Sequence, residues 1–521
     1  MHKSQLSVAA FFVVAAALVC GNLNAAIRSV SVRDFKAAGD GITNDTARIQ
    51  AALDSVQDGD VYFPAGRYAV CSISAKGKIV VLRGAGNHLS TIVRHSSCLQ
   101  QPTNMVSVTD SESLVVRDLG FDQRGDGTET RRSALFTSQV NNVLIDGVSV
   151  RRGQSSGILI DRGKDIKVVN SAFEQCWWIG VAVGGAGTTE DFPRKAEAVQ
   201  RIIIANNTFT DTAFGSMVSI FAYDTSITGN IYNKSSIGVA QATYRLLISG
   251  NLVFGAHEYG LQEKEPGIQI EAADDVTVAD NTIQNPAAEG IFIQGSTLQI
   301  PPGTAPNVQL SSSRIVVTGN KVDQAPKQPI HIAADSPGGK RASQILVSSN
   351  QMTNSHSCIT AIGDAMKISG NQCDTTTVAG YVLAGARNVI FTNNSARNIG
   401  TSVPGNYDGL EIANDSSQNI YVEQNEFVDD QSRHSMRYGV NDETLQSGHP
   451  SQVRYRGNTI SGALVKAIYP APGIPALGAW NAGDVIENPA PADGAPVGWI
   501  CVSSGSPGKW VALGYAANRI P

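Results

Sequence analysis

The stretch Ile202-x-Ile204-x-x-Asn207-x-Phe209 decides the fold, because the same apolar–x–apolar–x–x–Asn–x–apolar pattern returns along the chain. The shortest intervals are 21 to 23 residues, as from Asn230 to Asn251 and from Asn371 to Asn394. A period near 22 with short β-type segments predicts a solenoid, in which stacked coils supply the core that no single coil can bury. Asparagine stands at this phase at Asn207, Asn230, Asn251, Asn281, Asn320, Asn350, Asn371, Asn394, Asn425 and Asn458.

The apolar positions of each copy are mainly β-branched and alternate with polar residues, which is a strand pattern rather than a helix pattern. The Leu-rich consensus of leucine-rich repeats is absent, so we predict an all-β, right-handed parallel β-helix. The recurring Asn would then stand at one turn of successive coils, where it tolerates αL geometry and hydrogen-bonds along the stack. It belongs to the scaffold. Three earlier copies lack the Asn: Leu114–Phe121, Val143–Val150 and Ile166–Phe173.

The composition fits one continuous solenoid. Charged residues make up 16% of the 521 residues, glycine contributes 51, and the formal net charge is −5. No long run of one sign occurs. These values indicate a turn-rich β protein without a disorder signature, and they give no sign of the basic surface that binds nucleic acids.

Residues 1–25 have the features of a secretory signal peptide. Lys3 gives a positive start, Val8–Val19 is too short to span a membrane well, and Leu23-Asn24-Ala25 fits a cleavage site. Lipidation at Cys20 is the less favoured alternative, because bulky Val19 precedes it. We therefore expect an exported protein, periplasmic or secreted, from a Gram-negative bacterium, without membrane insertion.

The cysteines leave two alternatives open. No CxxC pair or Cys/His cluster indicates zinc, and no cofactor or metal is expected. In an oxidising compartment Cys71–Cys98 or Cys358–Cys373 would form a disulfide. The alternative is that the cysteines are free and buried as small apolar residues. Six cysteines follow the signal segment: Cys71, Cys98, Cys176, Cys358, Cys373 and Cys501.

The segment 30–70 differs from the repeats. It contains Gly39-Asp40-Gly41 and then Asn44–Leu53, in which Asn44 or Asp45 is a natural helix N-cap. Ile49, Ala52 and Leu53 would form one apolar helix face. Such a helix would cover the first coil, which otherwise exposes core and strand edges.

This segment closely resembles the N-terminal signature of the pectate-lyase-like superfamily of right-handed β-helices, which includes tailspike-type and secreted polysaccharide depolymerases. The resemblance implies a polysaccharide as partner, with a homotrimer as one mode of assembly. From about residue 100 to 465 it extends only to coil period and Asn phase. The polygalacturonase pattern of Asn-Thr-Asp, paired Asp and Gly-His-Gly is absent. Asp274-Asp275 is present, but His331 lies in Pro329-Ile330-His331-Ile332.

The chain divides into four predicted parts. After the signal peptide come a cap with the first coils (26–100), the β-helix (101–468), and a Pro-rich linker with a small module (469–521). The order of Trp480, Trp499 and Trp510 in this module is similar to that in small chitin- and cellulose-binding modules, so these residues are candidates for stacking on sugars. The alternative is that they form the core of the module.

One parallel sheet of such a solenoid usually forms an open groove. In Gly267-Ile268-Gln269-Ile270-Glu271, alternation sends the isoleucines inward and Gln269 and Glu271 outward. The outward face is mostly small or apolar. The polar exceptions are Asp161, Gln269, Glu271, Gln294, His331 and Glu411.

Glu271 is the preferred catalytic residue, because insertions at 257–266 and 295–313 flank it and long loops line the binding face of repeat proteins. A glycosidase needs a second carboxyl group about 5–9.5 Å away. The candidates for that group are Glu265, Glu263 and Glu289. The residues expected to bind substrate are Gln269, Gln294, His331 and Asp161, the last about 19 Å from Glu271, four strands earlier.

A basic cluster over the early coils, including Arg152 and Arg162, suits a different reaction. A uronate lyase needs cations that neutralise the substrate carboxylate and a base that removes the C5 proton. Solvated turn residues are the more ordinary interpretation of these arginines. The preferred function is therefore a polysaccharide depolymerase of the glycoside hydrolase type, with a uronate lyase and a non-catalytic polysaccharide-binding protein as the alternatives.

Overall fold

The computed structural model describes residues 28–125, 132–184, 199–255, 264–298, 308–334, 341–413, 416–445, 453–463, 465–468, 473–474, 482, 485–488, 491–505 and 508–516. The predicted signal peptide, Glu263 and Trp480 lie outside these residues. Within the described part of the chain, no helix is long and apolar enough to cross a membrane.

The chain is a right-handed parallel β-helix with three sheets, as predicted. The first sheet carries the candidate site. It contains β5 (Ile73–Lys76), β8 (Val106–Ser111), β15 (Ile179–Val183), β23 (Ile291–Gln294), β28 (Ile330–Ile332), β31 (Ile359–Ala361), β34 (Tyr381–Ala384), β37 (Leu410–Ala413), β40 (Tyr438–Asp442) and β43 (Val465–Ile468).

The second sheet follows the first along each coil. It contains β1 (Arg28–Ser31), β3 (Asp58–Phe63), β6 (Ile79–Gly84), β9 (Ser113–Arg117), β16 (Val199–Ala205), β18 (Ala222–Thr228), β26 (Ser313–Thr318), β29 (Ala342–Ser348), β32 (Gly363–Ser369), β35 (Arg387–Thr392), β38 (Gln418–Glu423) and β41 (Val453–Arg456).

The third sheet completes each coil. It contains β2 (Asp40–Asn44), β4 (Gly66–Val70), β7 (Ser90–Arg94), β10 (Gly120–Asp122), β12 (Ser149–Arg151), β14 (Ala172–Glu174), β20 (Leu252–Phe254), β22 (Thr282–Gln284), β27 (Lys321–Asp323), β30 (Gln351–Ser355), β33 (Gln372–Thr376), β36 (Ser395–Arg397), β39 (Glu426–Val428) and β42 (Thr459–Ser461).

Five long strands bend from one sheet into the next, and two short ones form a hairpin outside the coils. The long strands are β11 (Leu135–Asp146), β13 (Ser156–Val169), β17 (Thr208–Ser219), β19 (Ile231–Ser249) and β21 (Ile268–Ala279). The hairpin pairs β24 (Ser296–Leu298) with β25 (Val308–Leu310) and lies in the insertion predicted at 295–313.

The core follows the predicted alternation. Ile268 and Ile270 are fully buried, whereas Gln269 and Glu271 keep part of their surface in solvent. One continuous apolar cluster runs from Val30 to Ala463. Since a slip of one residue would exchange the two faces, this burial pattern fixes Glu271 on the outside.

The predicted asparagine ladder is present and buried. The backbone N–H and the Nδ2 of Asn281 both donate to Oδ1 of Asn320, at 3.0 and 2.9 Å. The Nδ2 of Asn320 donates in turn to the carbonyl of Val278 at 2.9 Å. The same bonds repeat from Asn207 to Asn458. Ser171 precedes the ladder, and its N–H donates to Oδ1 of Asn207.

The αL conformation belongs to the residue before each ladder asparagine, so the expectation that the asparagine itself takes it is wrong. Positive φ angles occur at Asn206, Gly229, Gly250, Asp280, Gly319, Ser349, Gly370, Asn393, Gln424 and Gly457. The reversal at this position turns the next side chain into the coil, where its amide reaches the neighbouring coil.

The N-terminal cap is the helix α1 (Thr46–Asp54), and its buried residues are Ile49, Ala52 and Leu53, as predicted. Asp45 occupies the N-cap position, but its side chain makes no capping bond with the helix. It accepts hydrogen bonds from the N–H groups of Ala38 and Gly39 instead, at 2.6 and 2.9 Å. Asp45 therefore ties the helix to the loop before it.

Both candidate disulfides are formed, Cys71–Cys98 and Cys358–Cys373. Cys176 and Cys501 are free and buried, so the alternative of apolar free cysteines holds for these two. Short 3-10 helices lie at Ser96–Cys98 and Glu443–Leu445.

The C-terminal segment forms a separate antiparallel sheet of β44 (Val485–Glu487), β45 (Pro496–Ser503) and β46 (Lys509–Tyr515). Its small core consists of Trp499 and Cys501, with Trp510 and Ala512 packed against them. This sheet shares no strand with the three sheets of the β-helix among the described residues.

We predict that Ile270→Asp prevents folding, whereas Thr277→Asp, at an outward position of the same strand, is tolerated. Ile270 is fully buried, and an uncompensated buried carboxylate costs at least about 3 kcal/mol. Soluble expression and thermal unfolding measure the difference. Equal melting of the two variants would contradict the assigned phase of β21.

We predict that Asn320→Ala lowers the free energy of unfolding by about 1–3 kcal/mol, because the buried N–H of Asn281 loses its acceptor. Asn406→Ala, a change at an exposed asparagine outside the ladder, serves as control. Denaturant unfolding of both variants provides the measurement. A loss of the same size in the control would show that the ladder position is not special.

Candidate functional site

The outward positions of the first sheet form two neighbouring columns that run along the solenoid. In one column Gln269 stands beside Phe292, and Phe292 stands beside His331. In the other, Glu271 stands beside Gln294. Adjacent strands lie about 4.8 Å apart, so these five side chains share one patch of the groove. The sequence prediction that Gln294 lies one coil from Glu271 is confirmed.

A carboxylate–histidine pair lies in this patch. The Oε1 of Glu289 is 3.1 Å from Nζ of Lys327 and 3.5 Å from Nδ1 of His331. The contact with His331 is an ion-pair distance and too long for a good hydrogen bond, and Nδ1 has no hydrogen-bond partner of good geometry. The imidazole packs against Phe292 with ring centroids 5.0 Å apart. Phe292 and the carboxylate of Glu289 both lie against the imidazole.

Glu289 is ionised near neutral pH. Burial pushes the pKa of this carboxyl upward, but contacts with His331, with a backbone N–H and with Lys327 outweigh burial, so that the net pKa is lowered. An ionised carboxylate orients a histidine and accepts protons. It does not donate a proton in the first step of a reaction.

Glu271 and Glu265 differ in environment. Glu271 is half-buried and accepts a hydrogen bond from Nε2 of Gln269 at 3.3 Å. Glu265 is buried just before β21 and has an interaction of its own within the protein. Of these two carboxyl groups, Glu271 is therefore the better placed to meet a molecule in the groove.

Asp161 lies on the same column as Glu271, four strands earlier. The register runs from Ile160 through Val183, Val218 and Val239 to Ile270, and Asp161 and Glu271 each follow by one residue. Four strand spacings correspond to about 19 Å. The carboxylate of Asp161 accepts a hydrogen bond from Oγ of Ser138 at 2.9 Å. Asp161 is thus separate from the patch around Glu271.

The candidate arginines are paired with aspartates. Arg162 contacts Asp161 at 3.2 Å. Arg152 follows β12 in the third sheet and binds the carboxylate of Asp122, which also contacts Arg67 at 3.3 Å. Burial raises the pKa of Asp122, but Arg152 and its other donors outweigh burial and lower it. Arg152 and Glu271 therefore lie on different sheets.

The tryptophans of the C-terminal module differ in exposure. Trp499 is buried in the core of the module, which favours the structural interpretation for this residue. Trp510 packs against that core and keeps part of its ring accessible. Trp480 lies outside the described residues.

An apolar patch on the first sheet was missed by sequence reasoning. Leu159, Trp178 and Met217 are partly exposed and pack on Phe214 and Ala182, outside the core of the coils. Apolar and aromatic faces of this kind stack on sugar rings. The sequence gives little signal for it, because the residues come from three coils.

Glu411 lies three strands beyond His331 on the same column, through Thr360 and Val382. Burial raises the pKa of its carboxyl, and the negative charges of Glu443 and Asp408 raise it further, against the effect of Arg437. The sequence marked Glu411 as an outward polar residue but gave no reason to rank it.

We predict that Glu411→Gln stabilises the protein at neutral pH and has little effect below about pH 4, where the carboxyl is protonated in both states. As pH rises through the ordinary value near 4.5, the unfolded chain releases its proton first. The wild-type protein therefore loses stability relative to the variant. Melting temperatures from pH 4 to 8 measure the difference in stability between the wild type and Glu411→Gln. The change Glu426→Gln, at an exposed glutamate, serves as control. A stability difference that is independent of pH would contradict the raised pKa of Glu411.

The comparisons with known proteins agree with the fold. The family described as "Rhamnogalacturonase A/epimerase, pectate lyase-like" matches residues 29–292, and "Right handed beta helix region" matches residues 266–460. The first match covers half of the chain. The chain therefore belongs to the pectate-lyase-like family, as the N-terminal segment indicated.

Several curated relatives come from Azotobacter vinelandii. Mannuronan C5-epimerase AlgE4 is 31% identical over 147 residues, covering 24% of this chain and 27% of the relative. Mannuronan C5-epimerase AlgE5 is 26% identical over 274 residues, covering 48% and 26%. Alginate lyase 7 is 28% identical over 141 residues, covering 23% and 16%. The chain thus spans about a quarter or less of the length of these relatives.

Two solved structures are also similar. The A-module of mannuronan C-5 epimerase AlgE6 from Azotobacter vinelandii matches 83% of this chain and 94% of its own length, with 15% identity and a TM-score of 0.35. An exopolygalacturonase from Thermotoga maritima matches 63% of this chain and 87% of its own length, with 12% identity and a TM-score of 0.48.

Proposed function

We propose that this protein is a polysaccharide-active enzyme that removes the C5 proton of a uronate residue bound on the first sheet. The observation that carries the proposal is the pair of Glu289 and His331, 3.5 Å apart. An ionised carboxylate beside a histidine orients the ring and stabilises the imidazolium that forms when the ring takes a proton. His331 is the base in this proposal.

The neighbouring side chains supply binding. Gln269 and Gln294 flank Glu271 and offer amide groups to sugar hydroxyls. Lys327 keeps 58% of its side chain exposed while it contacts Glu289, so its charge also reaches the groove. A cation near the substrate carboxylate stabilises the negative charge that develops when C5 loses its proton.

Removal of the C5 proton leads either to cleavage of the chain or to epimerisation. The curated relatives include one named as an alginate lyase and one named as a C5-epimerase. If the C4–O bond then breaks, the electron pair of C5 forms a C4–C5 double bond and the chain is cleaved. If C5 instead takes a proton on its opposite face, the sugar is epimerised. Glu271, beside the column of His331, is the group that we assign to proton donation in either outcome.

A glycoside hydrolase is the second candidate. The observation that favours it is a second carboxyl group, Glu271, on the same patch as the ionised Glu289. Hydrolysis of this kind uses one protonated and one ionised carboxyl group. In this alternative Glu271 donates the proton to the leaving oxygen and Glu289 acts as the carboxylate.

Two predictions from the sequence accompany the proposal. Export through the signal peptide 1–25 would bring the enzyme to extracellular polysaccharide. A homotrimer stays a prediction from the resemblance to tailspike-type proteins.

The test is incubation of the purified protein in D₂O with polymannuronate and with polygalacturonate. We expect deuterium at C5 or unsaturated chain ends on at least one polymer, measured by NMR and UV absorbance. His331→Asn should lower the rate by at least about 10²-fold, the low end for loss of an acid–base group. Glu289→Gln and Glu271→Gln should lower it as well.

His434→Asn is the matched control, because His434 also faces a carboxylate, with its Nδ1 3.7 Å from Oδ1 of Asp429. It should retain full activity. New reducing ends with neither C5 exchange nor unsaturated ends, lost in Glu271→Gln but not in His331→Asn, would replace the proposal with the hydrolase. Binding of the polymers without any reaction would leave only the non-catalytic alternative.

A further inference from the structure

Three residues with metal-binding side chains meet at the edge of the third sheet, next to the N-terminal cap. One ligand atom each of Cys71, His95 and Cys98 lies within 4.8 Å of the others. No Cys/His cluster is apparent in the sequence, and the fold brings these three residues together. The cluster escaped notice because 24 residues separate Cys71 from His95.

Strand pairing brings the three residues together. β4 and β7 pair in parallel, with Val70 beside Arg94, and the N–H of His95 donates to the carbonyl of Val70 at 2.8 Å. Cys71 and His95 are the next residues of the two strands, so they stand side by side. The 3-10 turn Ser96–Cys98 then folds Cys98 back toward them.

In the structure the two cysteines form a disulfide with their Cα atoms 5.4 Å apart. The same backbone spacing suits two thiolates that share one ion, because each zinc–sulfur bond is about 2.3 Å and each zinc–nitrogen bond about 2.0 Å. Once the S–S bond is broken, a small rotation of each side chain would admit a metal ion between the sulfurs and the imidazole.

We propose that Cys71, His95 and Cys98 form a redox-gated site for a thiophilic metal ion such as Zn²⁺. A dithiol supplies two electrons and two protons, which convert the disulfide into two thiols while the dithiol becomes a disulfide. The ion then binds two thiolates and a neutral imidazole, and the two thiol protons are released. Oxidation joins the two sulfurs in a disulfide again, so that neither can bind the ion.

Hydrogen-bond donors hold the groups around the cluster in place. Nδ2 of Asn44 lies 3.8 Å from Sγ of Cys71 and donates toward it. The Arg94 guanidinium, which is buried, donates to the carbonyl of Cys71 and holds the backbone at this position. The Nδ1 of His95 accepts a hydrogen bond from the N–H of Ser97 at 3.2 Å and contacts Oγ of Ser97 at 2.7 Å. Coordination through Nε2 would place the ring proton on Nδ1, from which it would donate to Oγ of Ser97.

The second disulfide provides an internal comparison. Cys358 and Cys373 have their Cα atoms 5.8 Å apart, and both side chains lie in the apolar core of the coils. No histidine or carboxylate joins this pair in a group of three potential ligands among the described residues. Reduction of Cys358–Cys373 should therefore create two thiols without a metal site.

The experiment compares oxidised and reduced full-length protein in titrations with Zn²⁺ and with Co²⁺, whose thiolate complexes absorb in the near ultraviolet. We expect one equivalent of ion to bind to the reduced protein and none to the oxidised protein. The variant Cys358→Ser/Cys373→Ser, reduced in the same way, should bind the ion as the reduced wild type does. His95→Ala should weaken binding at least about tenfold, which corresponds to loss of one ligand.

Cys71→Ser/Cys98→Ser should lose the sulfur-to-cobalt absorption, and circular dichroism of this variant would show that the β-helix is intact. If it does not fold, His95→Ala and the Cys358→Ser/Cys373→Ser protein still decide the matter. Absence of sulfur-to-cobalt absorption in the reduced wild type would overturn the proposal. Equal binding by His95→Ala, or loss of binding in Cys358→Ser/Cys373→Ser, would overturn it as well.

Discussion

Registration between successive coils is the constraint on which this molecule depends. A parallel strand buried on its inner face has no freedom to slip, because a one-residue shift exposes every apolar residue of the coil. The asparagine ladder enforces the same register from the turn, since each amide holds the backbone of one coil and the side chain of the next. Insertions between coils leave the register intact, and the 39 residues between Asn281 and Asn320 show how much chain one coil can add outside the stack.

The candidate site is a consequence of this register. Glu289 and His331 are 42 residues apart in the sequence, yet their side chains approach to 3.5 Å. The reason is that β23, which begins two residues after Glu289, pairs with β28, which carries His331. Gln269, Phe292 and His331 come from three successive coils in the same way. Each coil contributes one or two outward side chains, and function arises where several polar ones fall on adjacent coils. The disulfide and the histidine near the cap follow the same rule on the third sheet.

The cations considered for the site all form ion pairs with carboxylates, and their positions decide which of them lies near His331. Arg152 and Arg162 are prominent in the sequence, but Asp122 and Asp161 bind them. Lys327 is not prominent, yet it lies beside Glu289 and lowers the pKa of that buried carboxyl together with His331. Burial of Glu411 near Glu443 and Asp408 has the opposite effect, because like charges and desolvation disfavour ionisation.

The sequence by itself determined the β-helix, the capping helix, the ladder asparagines and the inward or outward direction of Ile270 and Glu271. All of these are set by local periodicity, which strand geometry converts directly into position. The tertiary structure alone decided that αL geometry precedes each ladder asparagine, that Glu289 pairs with His331, and that Cys71, His95 and Cys98 meet. These features depend on which coil lies beside which, and on insertions of varied length between the coils. Spacing along the chain therefore carries no measure of the distances between these side chains.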